Sequence, residues 1–338
     1  GSLLWLVCIA KDLVMLSFAG VLLAVVISWP ADLLTQHTRL KRWQALILVI
    51  LTFAIIASAA TYRMGSAIAT QITELREKLP ETIQTTTDRL QATDRGQFFF
   101  EQTKEIWKAV QDYLTKPEAV LGRAGGVLTT TFGFIANIML VLILAIFLAI
   151  SPTFYYKGLI TLAPIHARER FQTVLLKVAH TIRWWFFGQL CSMLIVGSLT
   201  FLGLKMFGVP LALTLSVIAA LLNFIPNFGP ILAAIPAILL ALTHNTQTAD
   251  LNYASAIYVA IWYIVIQNAE GSVITPWIQH RTVALPPALI ILFQVLLALL
   301  VGPIGLLLAT PMLATLLVLV KLLYIEDTLG DRGGGKVS

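Results

Sequence analysis

Between Trp184 and Val320 the chain carries only Lys205, Asp250, Glu270 and Arg281 as charged residues. Everything around them is predominantly apolar. A carboxylate at membrane depth is costly and is retained where it is paired or functional. Glu270 is therefore the leading candidate for chemistry, an acid able to bind a proton or a sodium ion and couple transport. The competing role is an interfacial or helix-capping acid with Arg281 as its partner. Asn223 and Asn227 flank Pro226 in the stretch Asn223-Phe224-Ile225-Pro226-Asn227-Phe228-Gly229-Pro230. Their amides can satisfy backbone groups that the proline frees, or line a binding site, and the two roles are compatible. Gln189, Gln267, Asn268, Thr275 and Gln294 are further polar groups on or beside apolar segments. Gly229, Gly302 and Gly305 read as hinge and close-packing positions. The candidate substrate- or ion-binding set is Asn223, Pro226, Asn227, Gly229, Pro230, Gln267, Glu270, Thr275, Gly302, Pro303 and Gly305.

No soluble chemistry competes with this set. The sequence has no His-Glu-x-x-His, no Gly-x-Ser-x-Gly and no phosphate loop, so an ATPase or a hydrolase is not supported. Its histidines are scattered, and Cys8 and Cys191 lie far apart in apolar segments, with no metal spacing or disulfide framework. No catalytic residue, metal or cofactor is expected beyond a coupling proton or sodium ion.

Composition explains why lipid is the relevant solvent. Of 338 residues, 58% are hydrophobic and 12% charged, with a mean hydropathy of +0.86. Soluble domains carry about 25% charged residues. The expected fold class is an all-α polytopic integral membrane protein. The net charge of +6 resides mostly in short loops beside apolar spans, the positive-inside pattern, and nucleic acid is not expected as a partner.

The elements that must position the polar set follow from the breaks in the apolar runs. Pro226, Gly229 and Pro230 fall inside the run Leu211–Leu242. Each flanking piece has about twelve residues and reaches roughly 18 Å, short of a hydrocarbon core of about 30 Å. A broken helix in lipid is tolerated only where protein or a watery cavity satisfies its backbone. The spacing thus predicts a re-entrant hairpin over 211–242 with a polar tip. A second break at Gly302-Pro303 predicts a like hairpin over 288–323, with two ordinary short spans as the alternative. A span precedes each, 188–207 and 253–268, which makes an inverted repeat with both tips near one site.

Upstream, Lys11-Asp12 divides the apolar start into a short first span and a second span, Leu13–Trp29. Trp43–Ala60 is the next span, so 3–62 forms the N-terminal transmembrane part. Residues 63–126 form a polar helical insertion outside the membrane, with Ile68, Ile72, Leu75 and Leu79 on one stripe and Ile106, Val110 and Leu114 on another. Within 127–187, Val127–Ile150 is a span and Phe171, Val174, Val178, Ile182 and Trp185 mark an amphipathic interfacial helix. The transport half is 188–323, and 324–338 is a cytoplasmic tail.

Several stretches resemble one family. The Ile-Pro…Gly-Pro signature at 225–230, Glu270-Gly271 to Thr275-Pro276, and Leu285-Pro286-Pro287 through Gly302-Pro303-Ile304-Gly305 to Ala309-Thr310-Pro311 are similar to motifs of the autoinducer-2 exporter family, the PerM-like permeases of bacteria. So is the tail Leu323–Gly330. The resemblance covers nearly the whole chain. It implies a secondary transporter in the bacterial inner membrane that exports autoinducer-2 or, in some members, exchanges sodium or lithium for protons. On this reading the partners are the lipid bilayer and a small-molecule or ion substrate, in a homo-oligomer. A channel and a non-transporting envelope scaffold are the alternatives.

Overall fold

The computed structural model describes residues 2–91, 131–243, 252–274, 276 and 285–330. Among these residues there is no strand, and the chain is an all-α polytopic membrane protein, in which helices satisfy their own backbone groups in lipid. Helix α1 (Ser2–His37) is followed by α2 (Arg42–Gln91). A sharp bend separates α3 (Thr131–Ile150) from α4 (Pro152–Leu162), and a 3-10 turn at Ile165–Ala167 leads into α5 (Arg168–Met206). Next come α6 (Ala212–Leu222), α7 (Phe228–Thr243) and α8 (Tyr253–Ala269). A π-helical turn, Glu270–Ile274, extends α8. The described chain closes with α9 (Pro287–Val301), α10 (Pro303–Leu319) and a π-helical segment, Val320–Glu326.

Three boundaries differ from those read in the sequence. First, α1 runs unbroken through Lys11-Asp12, so one helix replaces the expected stub and second span. Lys11 does not mark a chain turn; its ammonium donates to the carbonyl of Leu300, 2.7 Å away. Second, α2 continues without interruption past Ala60 into the insertion. Leu75 of the expected stripe is buried, whereas Ile72 is half exposed. Ile106, Val110 and Leu114 lie outside the described residues. Third, α5 is continuous from the expected interfacial helix into the expected span. Val174, Ile182 and Trp185 are buried in protein rather than turned to lipid.

Four described helices are long and apolar enough to cross a membrane by themselves, Lys11–His37, Arg42–Ala59, Ile165–Met206 and Pro303–Glu326, and the bent pair Ile135–Ile150 and Pro152–Leu162 adds a fifth when taken together. The arms around Gly302 are therefore unequal, because α9 has 15 residues while the segment from Pro303 to Glu326 suffices to span alone. The arms around Pro226 are both short, with 11 and 16 residues.

The chain divides into two compact units. One comprises Gly1–Ala57, Gly125–Gly188 and Trp277–Ser338; the other comprises Ser58–Ala124 and Gln189–Pro276. In the first unit Ala24, Ala31, Ala45, Ala145 and Ala149 join Leu46 and Val49 in one core cluster. Without a hydrophobic drive between helices in lipid, small side chains and close contact do the packing. Arg42 fastens the ends of three helices there, pairing with Asp32 at 2.5 Å and donating from Nε to the carbonyl of Ala149 at 2.9 Å. Near the C-terminal end of the described chain, Arg170 pairs with Glu326 at 2.9 Å and Asp327 at 3.0 Å. The second unit has its own core, in which Leu204 of α5, Leu215 and Ala219 of α6, Ala233 and Ala237 of α7, and Val259 of α8 are buried together.

Candidate functional site

The site begins with an ordinary helix end that lacks its ordinary partner. Asn223 still donates its backbone N–H to Ala219, 2.9 Å. Its carbonyl has nowhere to go within the turn: Pro226 has no N–H to offer, and Asn227 swings into the left-handed region at φ 69°. The side chain of Gln189, on α5, supplies the missing donor, with Nε2 lying 2.6 Å from the Asn223 carbonyl. The neighbouring carbonyls are served locally, Leu222 by the N–H of Ile225 and Ile225 by that of Gly229, both at 2.9 Å. Gly229 is required by proximity. A Cβ there would stand 1.9 Å from the carbonyl oxygen of Leu222, so α7 can leave the tip close to α6 only without a side chain.

The same Asn223 side chain reaches the acid. Its Nδ2 donates to Glu270 Oε1 at 3.0 Å and to Ser192 Oγ at 2.9 Å. Ser192 in turn donates a short hydrogen bond to Glu270 Oε1. Gln267 Nε2 approaches Glu270 Oε2 at 3.4 Å. Asn223, Ser192 and Gln189 are buried, and Asn223 Oδ1 is buried with no hydrogen-bond partner. Glu270 is half-buried, and among the described residues no cation pairs with it. Arg281, the partner expected for a merely interfacial acid, lies outside the described residues. A carboxylate accepts hydrogen bonds only, and three donors are aimed at this one.

Helix register brings these groups together. Gln189 and Ser192 are one turn apart on α5, as Gln267 and Glu270 are at the end of α8, and residues so spaced share a helix face. The two helices run antiparallel. Trp262 Nε1 donates to the Leu199 carbonyl at 3.0 Å, and two turns further on Glu270 meets Ser192. Gly203 makes the approach possible, since a Cβ on it would lie 2.0 Å from Trp262 Nε1. Glu270 also opens the π-helical turn, and insertions of this kind recur at functional positions in helices.

The structure thus joins Asn223, Gln267 and Glu270, while Pro226, Asn227, Gly229 and Pro230 build the break that presents Asn223. Thr275 lies outside the described residues. Gly302, Pro303 and Gly305 form a separate break in the other unit. Gly302 takes φ 86° and Pro303 starts α10; a Cβ on Gly305 would sit 2.4 Å from the Leu297 carbonyl oxygen. Nearby, buried Gln294 donates to buried Thr310 at 3.4 Å. Sequence reasoning missed Ser192. The available signal was its position three residues after Gln189 in an apolar helix.

The chain matches the family described as "AI-2E family transporter" over residues 2–325. A putative transport protein of Bacillus subtilis, YueF, is 26% identical over 82% of this chain and 75% of its own length. A putative transport protein of Haemophilus influenzae is 24% identical over 90% of this chain and 85% of its own. The AI-2 transport protein TqsA of Escherichia coli K12 is 27% identical over 64% of this chain and 59% of its own. With a family match that runs over residues 2–325, this chain belongs to the AI-2E family of transporters.

Proposed function

We propose that the chain exports a small polar solute by alternating access, with Glu270 as the group that couples movement to a proton or sodium ion. One observation carries the reading: the carboxylate is held by Ser192, Asn223 and Gln267 at the helix break itself. While ionised it accepts every one of these hydrogen bonds. A proton on Oε2 turns that oxygen into a donor toward Gln267, whose amide must present its oxygen instead, and leaves Oε1 a weaker, uncharged acceptor for Ser192 and Asn223. A sodium ion would draw on the same oxygens. Either event loosens the hold on Asn223, and so on the end of α6 and the hairpin that follows. Discontinuous helices commonly form the substrate and coupling-ion sites of secondary transporters.

Autoinducer-2 is the first solute to test, because the related TqsA bears that name. The reading places the chain in a bacterial inner membrane with residues 63–126 outside and the C-terminus in the cytoplasm. The experiment is flux in proteoliposomes under an imposed pH or sodium gradient, with Glu270→Gln as the variant. Loss of the gradient's effect on autoinducer-2 flux is expected, by at least tenfold. Flux and pH dependence equal to those of the parent chain would sink the coupling role.

A further inference from the structure

The chain leaves α3 by an abrupt bend. Pro152 has no N–H to continue the ladder and instead occupies the first position of α4, where its fixed φ suits a helix start. The two axes meet at 86°. Helix α3 has 20 residues, a length of about 30 Å, which matches the hydrocarbon core. Its Ile135, Met139, Ile143 and Phe147 are exposed, as suits a helix facing lipid. A helix perpendicular to it at its end lies along the membrane surface.

The side chains of α4 agree with that position. None of its residues is buried. Leu162 is 82% exposed, and with Tyr155 and Leu159 it occupies one side of the helix, while Thr153, Lys157 and Thr161 occupy the other and Phe154 lies on the edge between them. Surface helices that rest in a bilayer show this division, with aromatic residues at headgroup level. Behind α4 is a cleft of about 350 Å³ lined by Leu159, Leu162, Pro164, Phe171 and Leu323. Arg170 and Asp327 at the same cleft are already paired with each other, so an apolar occupant meets no unspent charge there. Leu159 and Leu162 belong to both the apolar face and the cleft, and one covering layer serves both.

We propose that α4 is a membrane-surface helix whose face of Tyr155, Leu159 and Leu162 rests in the headgroup–acyl boundary of a phospholipid bilayer, with Lys157 turned toward the headgroups and water. Continuity with the lipid-facing surface of α3 and the bend of 86° favour lipid over a second copy of the chain. The test uses the full chain with Cys8→Ala and Cys191→Ala, in nanodiscs of phosphatidylcholine mixed with phosphatidylglycerol. Single nitroxide labels are placed through Tyr155→Cys, Leu162→Cys and Lys157→Cys, and accessibility to oxygen and to a polar nickel chelate is read by electron paramagnetic resonance. The labels at 155 and 162 should favour oxygen several-fold over the chelate, at a depth of about 5–10 Å, and the label at 157 should favour the chelate. Preference for the chelate at 155 and 162 would place α4 in water. Protection from both reagents would place it against protein. Either result overturns the proposal.

Discussion

The two helix breaks share one defect and repair it differently. At each, a carbonyl just before a proline is met by a side chain from elsewhere because the helix does not continue: Asn223 before Pro226 and Leu300 before Pro303. At the first break the repair is a buried neutral amide, Gln189, which also sits one turn from a serine bonded to the acid. At the second it is the ammonium of partly exposed Lys11, from the far end of the chain. Both breaks use a glycine against the carbonyl of the preceding helix, Gly229 on Leu222 and Gly305 on Leu297. Among the described residues, only the first is wired to a carboxylate. The comparison teaches that a break made of proline and a closely packed glycine specifies a backbone solution and leaves the chemistry to what caps it.

The comparison is most sharply broken at the glycines. Gly229→Ala places a Cβ 1.9 Å from a backbone oxygen and Gly305→Ala places one at 2.4 Å. Backbone cannot rotate away as a side chain can, so both should reach the upper end of overpacking costs, about 3 kcal/mol, with Gly229→Ala the worse. Thermal unfolding in detergent gives the order, and the reverse order would contradict the geometry. Next come the caps. Gln189→Leu leaves a buried carbonyl unserved and should cost about 1–3 kcal/mol, whereas Lys11→Met should cost about 1 kcal/mol or less, because water can reach the Leu300 carbonyl in its place. Equal losses by the same measurement would erase the distinction between the two repairs. The smallest effect concerns Asn227. Glycine tolerates its φ of 69° and asparagine nearly so; Asn227→Gly should stay within about 0.5 kcal/mol, and Asn227→Val should cost about 1–2 kcal/mol.

Much of this site was legible before any coordinates. Glu270, Asn223 and Gln267 stand out because polar groups are scarce in the apolar stretch, and Pro226 and Gly302 announce the breaks. Ser192 was not legible, since a serine in an apolar helix gains meaning only when antiparallel packing sets it opposite Glu270. Lys11 misled for a related reason. A lysine beside an aspartate suggests a membrane boundary, and nothing local reveals a carbonyl at Leu300 as its partner. The stripe at 171–185 was visible as a pattern, yet periodicity does not say whether lipid or protein will cover it. Here protein covers Val174, Ile182 and Trp185.

The seat of Trp262 on Gly203 carries a mechanical consequence. The indole fills the notch that the missing Cβ leaves, and its N–H is tied to Leu199. To slide along α5, α8 would have to lift this ring over the next side chain. The notch therefore opposes translation of α8 along α5, and the helix departs from regular α geometry only beyond it, at the π-helical turn that begins at Glu270 itself. The acid sits where the regular helix ends.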